Sequence, residues 1–285
     1  MPGLTPGEVV PGKVGSFPDP WTLIAISALA YIVSVALHEH GGHAAACAGL
    51  GSRALEMGAF YVNCDNARLS PIAVRLVAIA GPLISLALGL TSFAILARIP
   101  ARAPATAYFF WLLGTLGLME ATGYVLFSGV MGIGDLGTEP DGALYGAAPP
   151  WLWRPLLAVI GVLLYVGAVR FALARLEPRL AGSGWARVAI ANRAVMVSYL
   201  VGGATYGIIG AFNPYGWTIL LTSALPASMG GTSGLLWMFR LTDRSRSASG
   251  PGLYFGRRWS YIAAALLMTL GYALVFARTL RPSTG

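Results

Sequence analysis

The sequence of 285 residues contains few charged side chains and almost no lysine. Only 11% of its residues are charged and 56% are hydrophobic, which gives a mean hydropathy of +0.68. A typical soluble domain has about 25% charged residues, so this composition excludes that class and predicts a protein surrounded by membrane lipid. The cations are eighteen arginines and Lys13, and they lie at the ends of apolar segments. No basic stretch is interleaved with aromatic residues outside those segments, so a nucleic-acid partner is not expected.

Cysteine is nearly absent as well. Cys47 and Cys64 are too few for the disulfide framework of a small secreted protein, although they can pair once if both face an oxidising compartment. Free cysteines commonly behave as small apolar residues, so two unpaired thiols are the more ordinary expectation.

Long apolar runs predict an all-α polytopic membrane protein with six or seven transmembrane helices. The first run extends from Trp21 to Ala48, about 42 Å at 1.5 Å per residue, which crosses a bilayer with some tilt. The others cover about 71–96, 105–130, 151–174, 189–212, 217–239 and 259–280. Pro226 and nearby glycines interrupt the run at 217–239, which is therefore either a broken span or a re-entrant segment. The mixed segment 50–70 predicts a short surface hairpin.

The domain organisation follows from these runs. Residues 1–20, rich in proline and glycine, predict a flexible leader, and 21–280 form a single transmembrane domain. Within it, we expect a metal-site core at about 21–140 and additional helices at about 151–280. Ser245 to Pro251 predict a flexible loop.

The basic residues predict the orientation. If seven segments alternate, thirteen cations fall on the side of the amino terminus and six on the other. The positive-inside rule then places the amino terminus in the cytoplasm, in a membrane of the bacterial inner-membrane type.

All three histidines of the protein lie within six residues, in the sequence His38-Glu39-His40-Gly41-Gly42-His43. This hexapeptide is part of the first apolar run, where polar side chains are costly and need compensation. Imidazoles beside a carboxylate predict a metal site, with zinc as the expected ion. A metal-free polar network is the alternative.

The spacing of the histidines is unusual for a zinc helix. In H-E-x-x-H, two histidines lie about 40° apart on a regular α-helix, but His38 and His43 are five residues apart, which is about 140°. A π-bulge at Gly41-Gly42 would bring them back to one face. Without a bulge, Glu39 or His40 shares a face with His43 and forms a different metal site or a metal-free cluster.

With the bulge the motif is H-E-x-x-G-H, which resembles the zinc motif of the dipeptidyl peptidase III family, a soluble group otherwise unlike this chain. The wider layout resembles the site-2 protease family of intramembrane zinc metalloproteases. The resemblance depends on the histidine cluster followed by Ala44-Ala45-Ala46, on Ala80-Gly81-Pro82-Leu83 in the next helix, and on Gly134-Asp135 after the third. Ser85 stands where that family usually has an asparagine.

The resemblance implies roles for individual residues. His38, His43 and Asp135 would hold zinc, and Glu39 would be the general base for peptide-bond hydrolysis in a membrane-protein or peptide substrate. His40 would either support the ligands from outside the metal's coordination sphere or be an alternative ligand. The acid Glu120, in the middle of the third span, is a further candidate for these roles or a carboxyl that fastens two helices.

Two other functions remain open. The first is a noncatalytic, metal-binding or structural subunit of a larger membrane complex that reuses the protease scaffold. The second is a transporter with a midplane site at Glu120 and the broken segment near Pro226, although the lack of an inverted repeat argues against it.

Overall fold

A computed structural model describes residues 17–242, 247–250 and 252–282. Within them, seven helices are long and apolar enough to cross a membrane, as the apolar runs predict, and the chain is an integral multi-pass membrane protein. In chain order these helices are α1 (Pro20–Gly49), α2 (Pro71–Leu96), α3 (Pro104–Met131), α4 (Pro150–Arg179), α5 (Gly184–Ala211), α6 (Trp217–Leu241) and α7 (Trp259–Ala277). Residues 1–16 of the leader predicted at 1–20 lie outside the described residues.

Exposed tryptophans mark the two ends of the helix bundle. Trp21, Trp185 and Trp259 begin α1, α5 and α7 at one end and are 62%, 65% and 69% exposed. Trp151 and Trp217 begin α4 and α6 at the other end and are each 75% exposed. Because tryptophan favours the membrane–water interface, the two groups correspond to the two belts expected of a membrane-spanning bundle.

The centre of the bundle is a single apolar core to which all seven helices contribute. Trp111 of α3 is fully buried there and donates from its indole nitrogen to the carbonyl oxygen of Ala172, at 2.8 Å. Helix α3 packs along both α2 and α4, and small residues at these crossings allow the backbones to approach closely. Such close packing holds α3 in a fixed position. This is important because the candidate site described below uses residues at the carboxyl-terminal end of α3.

Helix α1 is not a regular α-helix throughout. It is α-helical over Pro20–Ala36, becomes a π-helix over Leu37–Ala44, and is α-helical again over Ala45–Gly49. The π-bulge predicted from the histidine spacing is confirmed.

A hairpin follows α1, as predicted. Strand β1 (Ala54–Met57) pairs antiparallel with β2 (Val62–Cys64), and a 3-10 turn at Asn66–Arg68 leads to α2. On its other side β1 meets the carboxyl-terminal segment through a bridge between Met57 and Leu280. The expectation of two unpaired cysteines is wrong, because Cys47 and Cys64 form a disulfide that ties the end of α1 to β2. In chain-entropy terms, a loop of this size gives about 3 kcal/mol of stabilisation.

Helix α6 is interrupted, as its proline and glycines predict. It contains two π-helical segments, Leu220–Ala224 and Pro226–Gly230, before Gly234–Trp237 and a 3-10 turn at Met238–Leu241. Tyrosines from neighbouring helices satisfy the carbonyl oxygens released there: Tyr165 donates to Gly231 at 2.7 Å and Tyr199 to Met229 at 3.2 Å. Of the two predicted alternatives, a broken span is the one that fits.

A second small sheet lies at the opposite end of the bundle. Strand β3 (Ala181–Ser183) pairs antiparallel with β4 (Ser247–Ser249). The prediction of a flexible loop at Ser245–Pro251 is therefore wrong for 247–249, while 245, 246 and 251 lie outside the described residues. Sequence did not reveal β4 because its serines and alanine have no strand-like apolar alternation.

Candidate metal centre

The π-helical segment of α1 turns His38 and His43 to the same side. Hydrogen bonds in a π-helix join residues five apart, so residues with this spacing lie one above the other. The two rings are buried, with centroids 5.0 Å apart, and their Nε2 atoms are 3.3 Å apart. The insertion of one residue relative to H-E-x-x-H is thus absorbed by the backbone.

Asp135 reaches these histidines from the turn after α3. Helix α3 ends at Met131, and Gly132 and Gly134 both have positive φ, of 80° and 86°, which reverses the chain sharply. Two bonds fix the turn: the Leu136 amide donates to the Ser128 hydroxyl at 3.3 Å, and the Ala143 amide donates to the carbonyl oxygen of Asp135 at 2.8 Å. Asp135 Oδ2 then lies 3.3 Å from His38 Nε2 and 3.5 Å from His43 Nε2.

These three atoms have the spacing that tetrahedral zinc requires. With bonds of about 2.0–2.1 Å and tetrahedral angles, neighbouring ligand atoms lie about 3.3–3.4 Å apart. The edges of the observed triangle are 3.3, 3.3 and 3.5 Å. His38, His43 and Asp135 can therefore hold one metal ion, with the fourth position open.

No protein-family model, no curated protein and no solved structure matches the chain. What the site can do must therefore be argued from its own chemistry.

The tautomers of His38 and His43 direct the lone pairs of both Nε2 atoms at the position between these atoms and Asp135 Oδ2. His43 Nδ1 lies 2.8 Å from the carbonyl oxygen of Val77, which can only accept, so Nδ1 carries the hydrogen. His38 Nδ1 lies 3.0 Å from the Ser85 hydroxyl, which donates its single hydrogen to Glu120 and therefore accepts from His38. Each Nε2 is left as an acceptor, unless a second proton makes the ring cationic. Outer partners of this kind orient metal-binding histidines.

Three acceptors directed at one point require positive charge between them. Asp135 Oδ2 is buried and receives no hydrogen bond from the described residues. Burial alone would raise the pKa of the Asp135 carboxyl, but positive charge at His43 and His38 holds the pKa below its usual range. Two adjacent buried imidazolium ions would repel each other, whereas one metal cation satisfies all three groups.

One face of α2 forms the other wall of the centre. Val77, Gly81 and Ser85 recur every four residues and so share a face of the helix. Val77 and Ser85 bind the two Nδ1 atoms, and Gly81 lies directly against both imidazole rings. The contact between Ser85 and His38 was not predicted from the sequence. Gly81 was singled out as part of the Ala-Gly-Pro-Leu motif, and the spacing of four residues from Gly81 to Ser85 could have indicated that Ser85 lies on the same face of α2.

Glu39 is next to the ligands and is buried, yet its carboxylate has no hydrogen-bond partner among the described residues. It borders a cavity of about 990 Å³ together with His43, Asp135 and Glu120. The walls of this cavity come from α3, the β1–β2 hairpin and the interrupted helix α6. A free carboxylate facing this space is available to accept a proton from water or substrate.

The other two predicted residues have different surroundings. His40 turns away from the metal centre and stacks on Phe276 with ring centroids 3.9 Å apart, and its Nε2 lies 3.3 Å from the Tyr272 hydroxyl. It is absent from the converging group, so its proposed role as an alternative ligand is not supported by the geometry. Glu120 is buried and accepts from Ser34 at 2.9 Å and from Ser85 at 3.2 Å, which makes it an outer partner of His38.

The substitution Gly81→Ala is expected to weaken zinc binding by on the order of 10- to 100-fold or more. An added Cβ would meet His43 Nε2 and His38 Cε1, and neither ring can give way because each is held at Nδ1. Zinc affinity is measured by competition with a chromophoric chelator. Gly167→Ala is the matched control, since its Cβ meets nothing within 4 Å. Unchanged affinity in Gly81→Ala would contradict the packing of the rings on this glycine.

The substitution Ser85→Ala is expected to weaken zinc binding by roughly 10- to 100-fold, because His38 loses the acceptor that fixes its tautomer. The same competition assay measures it. Ser92→Ala, a buried serine on the same helix, is the control and should bind zinc like the wild type. Equal affinities in the two variants would show that Ser85 does not position His38.

Proposed function

We propose that this chain is an intramembrane zinc metalloprotease similar to the site-2 proteases, which hydrolyses a peptide bond of a membrane-associated substrate. The observation that supports it best is the triangle of two Nε2 atoms and one carboxylate oxygen at tetrahedral spacing, beside the unpaired carboxylate of Glu39. Three protein ligands and an open position are typical of catalytic rather than structural zinc.

The residues divide the work as follows. His38, His43 and Asp135 hold the metal, and Glu120 and Ser85 orient His38 through its Nδ1 hydrogen bond. Zinc at this position supplies a Lewis acid that polarises a carbonyl group and makes water more acidic. Glu39 takes a proton from the attacking water and later gives it to the nitrogen of the leaving amine.

The cavity suits an extended segment of substrate. A peptide carbonyl inside a helix is already hydrogen-bonded and is shielded by the surrounding turn. The helix must therefore unwind before water can attack that carbonyl. The cavity wall is largely apolar along α3 and α6, with examples in Phe127, Val130 and Ile219, and becomes polar toward Glu56, Asn66 and Asp141. This gradient fits a segment that leaves the bilayer at one interface.

The orientation that we propose places the amino terminus in the cytoplasm and the metal centre toward the opposite face, in a bacterial-type inner membrane. The distribution of arginines supports it. An independent feature agrees: the Cys47–Cys64 disulfide lies at the same end as the metal centre, and disulfides persist in oxidising compartments.

Membrane fractions from cells that make either the wild type or the Glu39→Gln variant provide the test. New peptide amino termini within or beside apolar segments should appear only with the wild type, and both proteins should contain about one zinc per chain. Zinc without such cleavage would favour the noncatalytic subunit of a membrane complex. A wild-type protein without metal would overturn the proposal.

A further inference from the structure

A partly buried tyrosine near the candidate metal centre, Tyr124, differs from the fully buried tyrosines. The buried tyrosine hydroxyls generally have partners, as is usual for this group. This holds for Tyr31, Tyr108, Tyr165, Tyr199, Tyr206 and Tyr272. The hydroxyl of Tyr124 has no hydrogen-bond partner in the part of the chain that the structure describes, and the residue borders the cavity at the metal centre. It is therefore available to a ligand.

The position of Tyr124 is fixed by a ligand histidine. Its ring stacks on His38 with centroids 4.8 Å apart and planes inclined by 14°. His38 is itself held by Ser85, so the phenol has little freedom to turn away. Tyr124 lines the same cavity as Glu39, His43 and Asp135. Stacking on His38 therefore holds the phenol in the wall of the cavity at the candidate metal centre.

The walls of the cavity at the candidate metal centre contain few other free hydrogen-bond donors. No arginine or lysine is among the described residues that line the cavity, and Glu39, Asp135 and Glu120 are acceptors when ionised. Ser85 already bonds to His38 and Glu120, and Tyr165 to the Gly231 carbonyl. Ser223, whose hydroxyl also borders the cavity near Glu39 and Glu120, is the other candidate donor.

We infer that Tyr124 is a catalytic residue whose hydroxyl donates a hydrogen bond to the scissile carbonyl oxygen as negative charge develops there; this rests on the proposed protease function. The water oxygen bonds to the carbonyl carbon, the π electron pair moves to the carbonyl oxygen, and Glu39 takes the water proton. Tyr124 keeps its own proton and stabilises the oxyanion. The oxyanion then collapses, the carbon–nitrogen bond breaks, and Glu39 protonates the departing amine.

The test uses the purified full-length chain in detergent with cobalt in place of zinc, because the visible spectrum of cobalt reports both loading and ligand geometry. Acetohydroxamate is titrated as the probe, since its metal-binding carbonyl oxygen stands in for the oxyanion and its anionic oxygen for the attacking water. Tyr124→Phe keeps the ring that stacks on His38 and removes only the hydroxyl. It should bind cobalt with an unchanged spectrum and bind acetohydroxamate roughly tenfold more weakly than the wild type.

Tyr199→Phe, which removes a buried hydroxyl away from the cavity, should bind the probe like the wild type. Equal probe affinity in Tyr124→Phe and the wild type, with cobalt bound to both, would overturn the role of Tyr124 and leave the metal site standing. A loss in Ser223→Ala instead would assign the donor to Ser223. Failure of the wild type to bind cobalt or zinc would overturn the proposed function, and this inference with it.

Discussion

Replacing Glu39 with glutamine is expected to lower the rate of peptide-bond cleavage by roughly 10²- to 10⁴-fold, the range for the loss of a general base. Glutamine has nearly the same shape but cannot accept the water proton. Zinc content should stay near one per chain because Glu39 is outside the group formed by His38, His43 and Asp135. The measurement is the initial rate of cleavage, with a substrate identified from the new amino termini, together with metal analysis of the same preparations.

The control for Glu39 is Glu139→Gln, an exposed acid in the loop after α3, which should cleave at the wild-type rate. Glu120 is the other acid in the same cavity, but its Oε2 already accepts hydrogen bonds from two serines. Full cleavage by zinc-loaded Glu39→Gln would exclude Glu39 as the base. In that case Glu120→Gln becomes the variant that should lose activity.

The helices were predictable because lipid imposes a simple rule on sequence. A segment that crosses hydrocarbon must be apolar and long, and its ends are marked by proline, glycine, tryptophan or arginine. The predicted bounds of the second span, 71–96, coincide with α2, while α5 begins five residues before the predicted start at 189. Helix ends at the interface are less constrained, which explains why this boundary was missed.

The grouping of His38, His43 and Asp135 was predictable in part for a different reason. His38 and His43 are five residues apart, so a π-bulge was needed to bring them to one face of the helix. The alternating direction of the spans placed Asp135 at the same end of the bundle. Nothing in the spacing fixes the direction of His40, because its surroundings come from α7, more than two hundred residues away. The Cys47–Cys64 bond likewise depends on the path of the hairpin, which composition does not specify.

Removal of one of the proposed metal ligands is expected to cause a large loss of zinc affinity. Zinc sites with four protein ligands bind with about 10–16 kcal/mol, so one ligand corresponds to about 2.5 to 4 kcal/mol, or roughly 10²- to 10³-fold in Kd. His43→Ala deletes one corner of the triangle and leaves His38 and Asp135 alone. The purified variant should contain little zinc after dialysis against a weak chelator, whereas the wild type keeps about one ion per chain.

His40→Ala provides the sharpest control, because it removes a histidine of the same hexapeptide without touching the triangle. Its ring lies against Phe276 and Tyr272, so zinc content should remain at the wild-type level, although packing between α1 and α7 is weakened. If zinc were lost from His40→Ala and retained in His43→Ala, the π-helical register would not describe the metal-bound protein. Zinc would then be bound by His40 in a different register, and the Nε2 atoms of His38 and His43 would have to be satisfied without metal.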